Sequence, residues 1–329
     1  RGSTVCDYDP REKEHKHSVN LAVTNVSHDG TLIHLLDTPG YLDFVGQSLS
    51  ALSAVETAAV VINAASGIEL MTRRMMNWAQ SRNLCRVIIV NRIDADGVDL
   101  ATLLDEIQAE FGRECLPINL PAGNASQVID CFFRPDGESD LMPVAEAHTA
   151  IVDQVVEVDE DLMSVYLDQG HVKPEQLHEP FERALREGHL VPVCFVSGQT
   201  GAGLDLLLDT FAKLMPNPAE GNPPQFLRGE GEDAKPLHAA SDPSQHVLAH
   251  VFKVEIDPFI GKLGVFRVHQ GTVTPNTQLF IGDARKPFKV SHLYRLQGKE
   301  HVEVNAAVPG DIVAVAKIED IHFDAVLHD

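Results

Sequence analysis

Three short stretches of the 329-residue chain carry side chains whose types and spacing suit nucleotide chemistry: DTPGY at 37–41, NRID at 91–94 and SG at 197–198. In the first, an apolar run, LLD, ends on Asp37, and Thr38-Pro39-Gly40 turns the chain. A fixed carboxylate of this kind can stand near a metal, and a glycine amide can approach a γ-phosphate where a side chain would collide. The same residues are also ordinary turn formers. In the second, Asn91 and Asp94 can present an amide and a carboxylate to one purine edge. A carboxylate there accepts from guanine N1–H and the exocyclic amine, which adenine cannot match, and such sites reject the wrong base strongly. The competing reading is a pair that caps the following helix. The third stretch, VSGQTGAG at 196–203, is a small-residue turn whose backbone N–H groups could meet a purine carbonyl; alone it is a weak signal. Taken in chain order, the three form one site.

The elements that must hold these stretches follow from the pattern. LAVTNVSHDG and TLIHLLDT read as two strands joined at Asp29-Gly30. FVGQSLSALSAVET, TRRMMNWAQSRN and LATLLDEIQAEFG have helical spacing, alternating with the apolar runs AAVVINAA and CRVIIVNRID. That order argues for an open parallel sheet, which binds ligands at the carboxyl ends of its strands. Residues of about 112–175 break the rhythm and read as an insertion into a domain spanning 1–222. A Pro/Gly/charge-rich linker follows at 223–244. Short strands with turns, one of them at Asp257-Pro258, then mark an all-β barrel at 245–329.

Charge and cysteines bound the setting. The net charge is −22; residues 246–329 hold 9 Lys+Arg against 10 Asp+Glu, so the rest, with 17 against 38, carries the acidity. Such a field disfavours sequence-independent binding to DNA or RNA backbone, which leaves local nucleic-acid contacts or basic protein partners; acidity also serves solubility. The five cysteines lie apart with no Cys-x-x-Cys pair, as expected of reduced thiols in a cytoplasmic protein. No run approaches the roughly 20 apolar residues of a membrane helix. His15 and His17 in EHKH lack further ligands at metal spacing and read as a solvated loop.

The chain resembles the translational GTPases, and within them elongation factor G and its paralogues. GSTVCDYDPREKEHKHSV is similar to the first switch segment, LLDTPGYLDF to the second, VNRID to the guanine-reading motif and VSGQTGAGLDLLLD to the last guanine loop. The segment beginning FGRECLPINLPAG resembles that factor's extra subdomain, and VFKVEIDPFIGKLGVFRVHQGTV and VPGDIVAVAKIED its second, β-barrel domain. The resemblance implies a P-loop GTPase-type α/β domain followed by a barrel, acting as a monomer on the ribosome through ribosomal proteins and local rRNA contacts, with GTP/GDP and Mg²⁺. It implies Mg²⁺ near Ser18 and Asp37; Thr38, Pro39 and Gly40 at the γ-phosphate; Asn91, Arg92 and Asp94 on guanine; and Ser197 and Gly198 completing the base pocket. Factors of ribosomal-protection, recycling or release type share these domains.

Two departures stand out. No G-x-x-x-x-G-K-[ST] loop occurs in the chain. The resemblance places it, with the first strand of the sheet, upstream of Arg1, so residues 1–329 are expected to be part of a longer GTPase and, alone, to bind GTP weakly and hydrolyse none. Tyr41 stands where the family has a water-orienting histidine. A phenol there either handles water from a longer arm or marks a ribosome-docking module with little turnover.

Overall fold

A computed structural model describes residues 4–222, 224–229, 234–257 and 260–329. Arg1 to Ser3 of the first quoted segment, parts of the 223–244 span and most of the Asp257-Pro258 turn lie outside the described residues. The chain forms two compact units: Arg1–Val55 with Asn217–Ala219 and Pro223–Asp329, and Glu56–Pro216 with Glu220–Asn222.

The first unit opens on α1 (Pro10–His15), which starts at a capping box: the Asp9 carboxylate accepts from the chain at Arg11, and Glu12 reaches back to the Asp9 N–H. An antiparallel hairpin follows, β1 (Ala22–His28) and β2 (Thr31–Asp37), in the register Ala22 to Asp37. Asp29 and Gly30 both take positive φ, 47° and 80°, the geometry that a two-residue hairpin loop demands. A short 3₁₀ turn at Leu42–Phe44 then leads into α2 (Val45–Ala51).

The second unit carries a four-stranded parallel sheet. Its elements are β3 (Thr57–Asn63), α3 (Leu70–Ser81), β4 (Cys85–Asn91), α4 (Leu100–Phe111), β5 (Cys115–Pro117), β6 (Asn119–Ala122), β7 (Gln127–Asp130), α5 (Val144–Val156), α6 (Glu160–Gln169), α7 (Pro174–Glu187), β8 (Val191–Val196) and α8 (Leu204–Lys213). The strand order is β3-β4-β8-β5, and β6-β7 is a separate hairpin. Val87, Ile88, Val90, Val193 and Phe195 are buried on the central strands, which explains their unbroken apolar runs. Helices α5 to α7, within and after the 112–175 span, bury Ile151, Val155, Leu162 and Phe181 in the same core.

The remainder of the first unit is β-rich. Strands β9 (Phe226–Arg228) and β10 (Lys235–Leu237) pair inside the 223–244 span. After them come β11 (Leu248–Asp257), β12 (Gly261–Gln270), β13 (Gln278–Ile281), β14 (Phe288–Lys289), β15 (Leu293–Gln297), β16 (Glu300–Glu303), β17 (Ile312–Ala316) and β18 (Val326–His328). They form one antiparallel sheet, ordered β14-β13-β18-β11-β12-β17-β15-β16, curled into a half-barrel around Val251, Phe266, Val268, Leu293 and Val313. A second core, with Leu21, Val23, Phe252 and Leu263, joins the β1–β2 hairpin to this sheet.

No described helix is long and apolar enough to cross a membrane.

Candidate functional site

In the first unit, strand β2 delivers Asp37 at its last position and the chain turns through Thr38, Pro39 and Gly40. The turn is held from below: Ser48 Oγ, on the buried face of α2, donates to the Pro39 carbonyl at 3.0 Å. Gly40 is exposed, and its N–H has no partner among the described residues. A Cβ there would meet nothing within 4 Å, so the amide lies open to a ligand. Tyr41 precedes the 3₁₀ turn, accepts at its carbonyl from Phe44 N–H at 3.1 Å, and is 57% exposed.

The surroundings of Asp37 are acidic. The residue is open to solvent as a whole, yet its carboxyl is pushed above the usual carboxylate range. Desolvation by the chain around the acid is the largest cause; the Cys6 thiol, which donates a hydrogen bond to it, works the other way, and Asp7 and Glu12 add like charge. Burial and that same contact push the Cys6 thiol up to about 12, so it remains a donor at neutral pH. Ser18 Oγ donates to Asp7 Oδ1 at 2.8 Å. The buried Glu12 carboxylate collects the N–H groups of Val19 and Asn20 at 3.0 and 3.1 Å and so fixes the backbone immediately after Ser18. By chemical type, oxygen donors from Ser18, Asp7 and Asp37 are compatible with a hard divalent cation such as Mg²⁺.

In the second unit, Asn91 ends β4 and ties two loops. Its Oδ1 accepts from Arg92 N–H at 2.7 Å and from Gly198 N–H at 2.9 Å, which leaves its Nδ2 without a partner among the described residues. Arg92 takes a positive φ of 65° and is exposed. Asp94 Oδ1 is buried and has no hydrogen-bond partner among the described residues. A buried carboxylate oxygen left unmatched is costly, about 1–3 kcal/mol, and marks a place where a donor belongs. The capping alternative for this stretch is not realised: the N-cap of α4 is Asp99, whose carboxylate accepts from Thr102 N–H at 3.0 Å. In the last loop Ser197 Oγ accepts from Gln199 and Thr200 N–H, and Ser197 N–H bonds Ala202 O. The N–H groups of Ser197 and Gly198 are thus both spent within the protein; what they offer a base is shape.

The structure brings Asp37, Thr38, Pro39, Gly40 and Tyr41 together in one turn, with Ser18 on the neighbouring segment that carries Asp7 and Glu12. It brings Asn91, Arg92 and Asp94 together with Ser197 and Gly198. Residues that motif reading passed over are Cys6, Asp7 and Glu12; His17, read there as part of a solvated loop, is half-buried with its ring 4.5 Å from that of Tyr41. Only Glu12 had a local signal, the Asp-Pro-x-Glu capping pattern.

Comparison with known proteins gives one answer. Residues 1–217 match the family described as Elongation factor Tu GTP binding domain, and residues 246–326 match Elongation factor G domain 2. An elongation factor G-like protein of Mycobacterium tuberculosis is 29% identical over 357 residues, covering all of this chain and 50% of that protein. One of Thermotoga maritima is 29% identical over 326 residues, covering 95% of this chain and 47% of its own length. The elongation factor G of the same organism is 26% identical over 332 residues, with coverage of 95% and 48%. A crystal structure of a protein from Thermus thermophilus superposes with a TM-score of 0.84 and 30% identity, covering 100% of this chain and 48% of that one. The chain spans about half the length of the curated relatives it matches. With both matched segments in family order along the chain, it belongs to the translational GTPases of the elongation factor G-like kind.

Proposed function

We propose that residues 1–329 are the nucleotide-handling and barrel part of a ribosome-associated GTPase that binds and hydrolyses GTP with Mg²⁺ during protein synthesis. The observation that carries this reading is the unmatched, buried Asp94 Oδ1 beside an Asn91 that braces the adjoining loop. Asp94 accepts from guanine N1–H and the exocyclic amine. Asn91 Nδ2 donates to the base, Arg92 lays its planar guanidinium against it, and Ser197 and Gly198 close the pocket. Gly40 N–H donates to the γ-phosphate over the turn formed by Thr38 and Pro39, and Tyr41 faces the attacking water. Ser18 and Asp37 would hold Mg²⁺, which when bound offsets charge on the phosphate oxygens.

Residues 1–329 by themselves contain no phosphate-cradling G-x-x-x-x-G-K-[ST] loop, and on that ground we infer that they bind GTP weakly and do not turn it over. The acidity of residues 1–245 favours basic ribosomal proteins as partners and local rather than extended RNA contacts; a cytoplasmic monomer is the matching form. The experiment is nucleotide competition and ribosome-stimulated turnover in the full-length protein. Guanine-selective binding with turnover is the expected result, and equal affinity for ATP would overturn the reading. A second reading, a docking module without turnover, is favoured by one feature: the Tyr41 hydroxyl has no hydrogen-bond partner among the described residues. Under it, ribosomes bind the GTP-loaded protein and phosphate release stays at background.

A further inference from the structure

His17 acquires a role that its sequence context does not suggest. Its half-buried ring packs on Tyr41 with centroids 4.5 Å apart at 49°, and Phe44 and His15 lie 6.1 and 5.8 Å away. Its Nδ1 is 3.2 Å from the Ser18 carbonyl oxygen. A carbonyl only accepts, so Nδ1 carries a proton, and in that tautomer Nε2 is an acceptor. Nε2 has no partner among the described residues. One turn thus gathers an unspent imidazole acceptor, an unspent phenol hydroxyl and the open amide of Gly40.

A side-chain acceptor next to Tyr41 bears on how a water would be held at this turn. To aim a lone pair at phosphorus, a water must have an O–H held on the opposite side, and an imidazole nitrogen can hold it while a phenol hydroxyl donates to the same water. Asp37 already accepts from the Cys6 thiol and, on the reading above, would face Mg²⁺. Imidazole Nε2 is the available acceptor beside Tyr41.

We propose that His17 is a catalytic residue of the hydrolytic site: its Nε2 accepts a hydrogen bond from the attacking water, while its ring holds Tyr41 against the turn. This rests on the GTPase reading above. Water oxygen bonds to the γ-phosphorus, the bond from that phosphorus to the β–γ bridging oxygen breaks with its electron pair going to GDP, and the proton of the water ends on the released phosphate. His17 takes no proton in this step and acts by aim.

The test uses the full-length protein with ribosomes, comparing kcat and KM for GTP in wild type, His17→Phe, His17→Gln and His17→Ala, with GTP affinity measured alongside. His17→Phe keeps the ring contact and removes the acceptor; His17→Gln supplies an amide oxygen without the ring. The expected result is a kcat lower by roughly 10²-fold in His17→Phe and His17→Ala at unchanged KM and GTP affinity, with partial recovery in His17→Gln. Wild-type turnover in His17→Phe overturns this role and leaves the GTPase reading standing. A wild type that binds GTP and stays inert on ribosomes overturns both.

Discussion

Asn25 and His34 face each other across the β1–β2 ladder, and each is bonded to the half-barrel. Asn25 N–H donates to Gln297 Oε1 at 3.0 Å, its Nδ2 to Leu296 O at 3.2 Å, and Gln297 Nε2 returns a bond to Asn25 O at 3.3 Å. His34 Nε2 lies 3.3 Å from Asp311 Oδ1, with Arg295 at 3.8 Å from the same oxygen. Three residues after His34 the same strand presents Asp37, so the half-barrel helps to fix where that carboxylate stands.

Loosening this attachment should be measurable. Asn25→Ala removes the bond to Leu296 O and Gln297→Ala removes both bonds to the Asn25 backbone; each is expected to cost about 1–2 kcal/mol, and together less than the sum, because these bonds clamp the same two strands. Urea denaturation of the four proteins in a double-mutant cycle gives the coupling. Faster hydrogen exchange confined to the β2 amides would place the loss at the hairpin.

Stability should fall in mild acid through a different residue. His269 is buried with the Phe226 ring centroid at 5.1 Å, and its Nε2 has no partner among the described residues. Burial, then the charges of Arg267 and His250, hold it well below the usual histidine range. As pH drops under about 6.5 the unfolded chain takes up a proton that the folded chain refuses, so stability declines by up to about 1.4 kcal/mol per pH unit; above that pH the slope vanishes. Asp311 behaves in a separate window. Burial works to raise it, yet the bonds from His34 and Val308 N–H and the Arg295 charge hold it below the usual range, so its contribution is lost only as pH falls under about 4. Denaturation between pH 7.5 and 5.0 should show the first slope in the native chain and a flatter line in His269→Phe.

Base selection should invert at one atom. In the full-length protein Asp94→Asn removes a carboxylate that accepts twice, and GTP affinity should fall by roughly 10²–10⁴-fold. Xanthosine triphosphate carries a carbonyl where guanine carries an amine, and the new amide N–H can donate to it. Competition binding with both nucleotides checks the pair; unchanged GTP affinity would remove Asp94 from the site.

Two glycines in one loop should answer oppositely to alanine. Gly203 has φ +76°, and a Cβ there would lie 2.6 Å from the Phe195 carbonyl oxygen and 3.0 Å from Val128 Cγ2. Gly203→Ala should cost at least about 2 kcal/mol, from left-handed backbone and collision together. A Cβ on Gly198 meets only Asn91 Oδ1 and Nδ2 at 3.6 and 3.7 Å, ordinary contact distances. Gly198→Ala should stay within about 0.5 kcal/mol of the parent. Thermal melts of the two variants decide it.

Sequence patterns made the periodic parts legible. The Asp29-Gly30 turn, the apolar runs of β4 and β8 and the helices α3 and α4 declare themselves within a dozen residues, because their burial repeats with the backbone. Strand β5 does not: three residues, Cys115 to Pro117, join the sheet only by pairing with Val191–Val193, and no local period announces that. Strands β9 and β10 sit in Pro- and Gly-rich chain, and what organises them is Phe226 reaching His250 and His269. At the candidate site, motif spacing singled out Asp37, Asn91 and Asp94. It could not foresee that Cys6 would donate to Asp37 or that His17 would lie on Tyr41, since both contacts depend on the path of the chain between α1 and β2.

The unmatched oxygen of Asp94 also bears on how this protein can change over generations. A leucine there would spare the chain a buried carboxyl oxygen without a partner among the described residues, so random substitution selected for sturdiness alone would drift toward losing it. Its retention would have to be enforced by whatever the nucleotide does for the cell. A homologue in which that position has turned apolar should be both harder to unfold and indifferent to guanine.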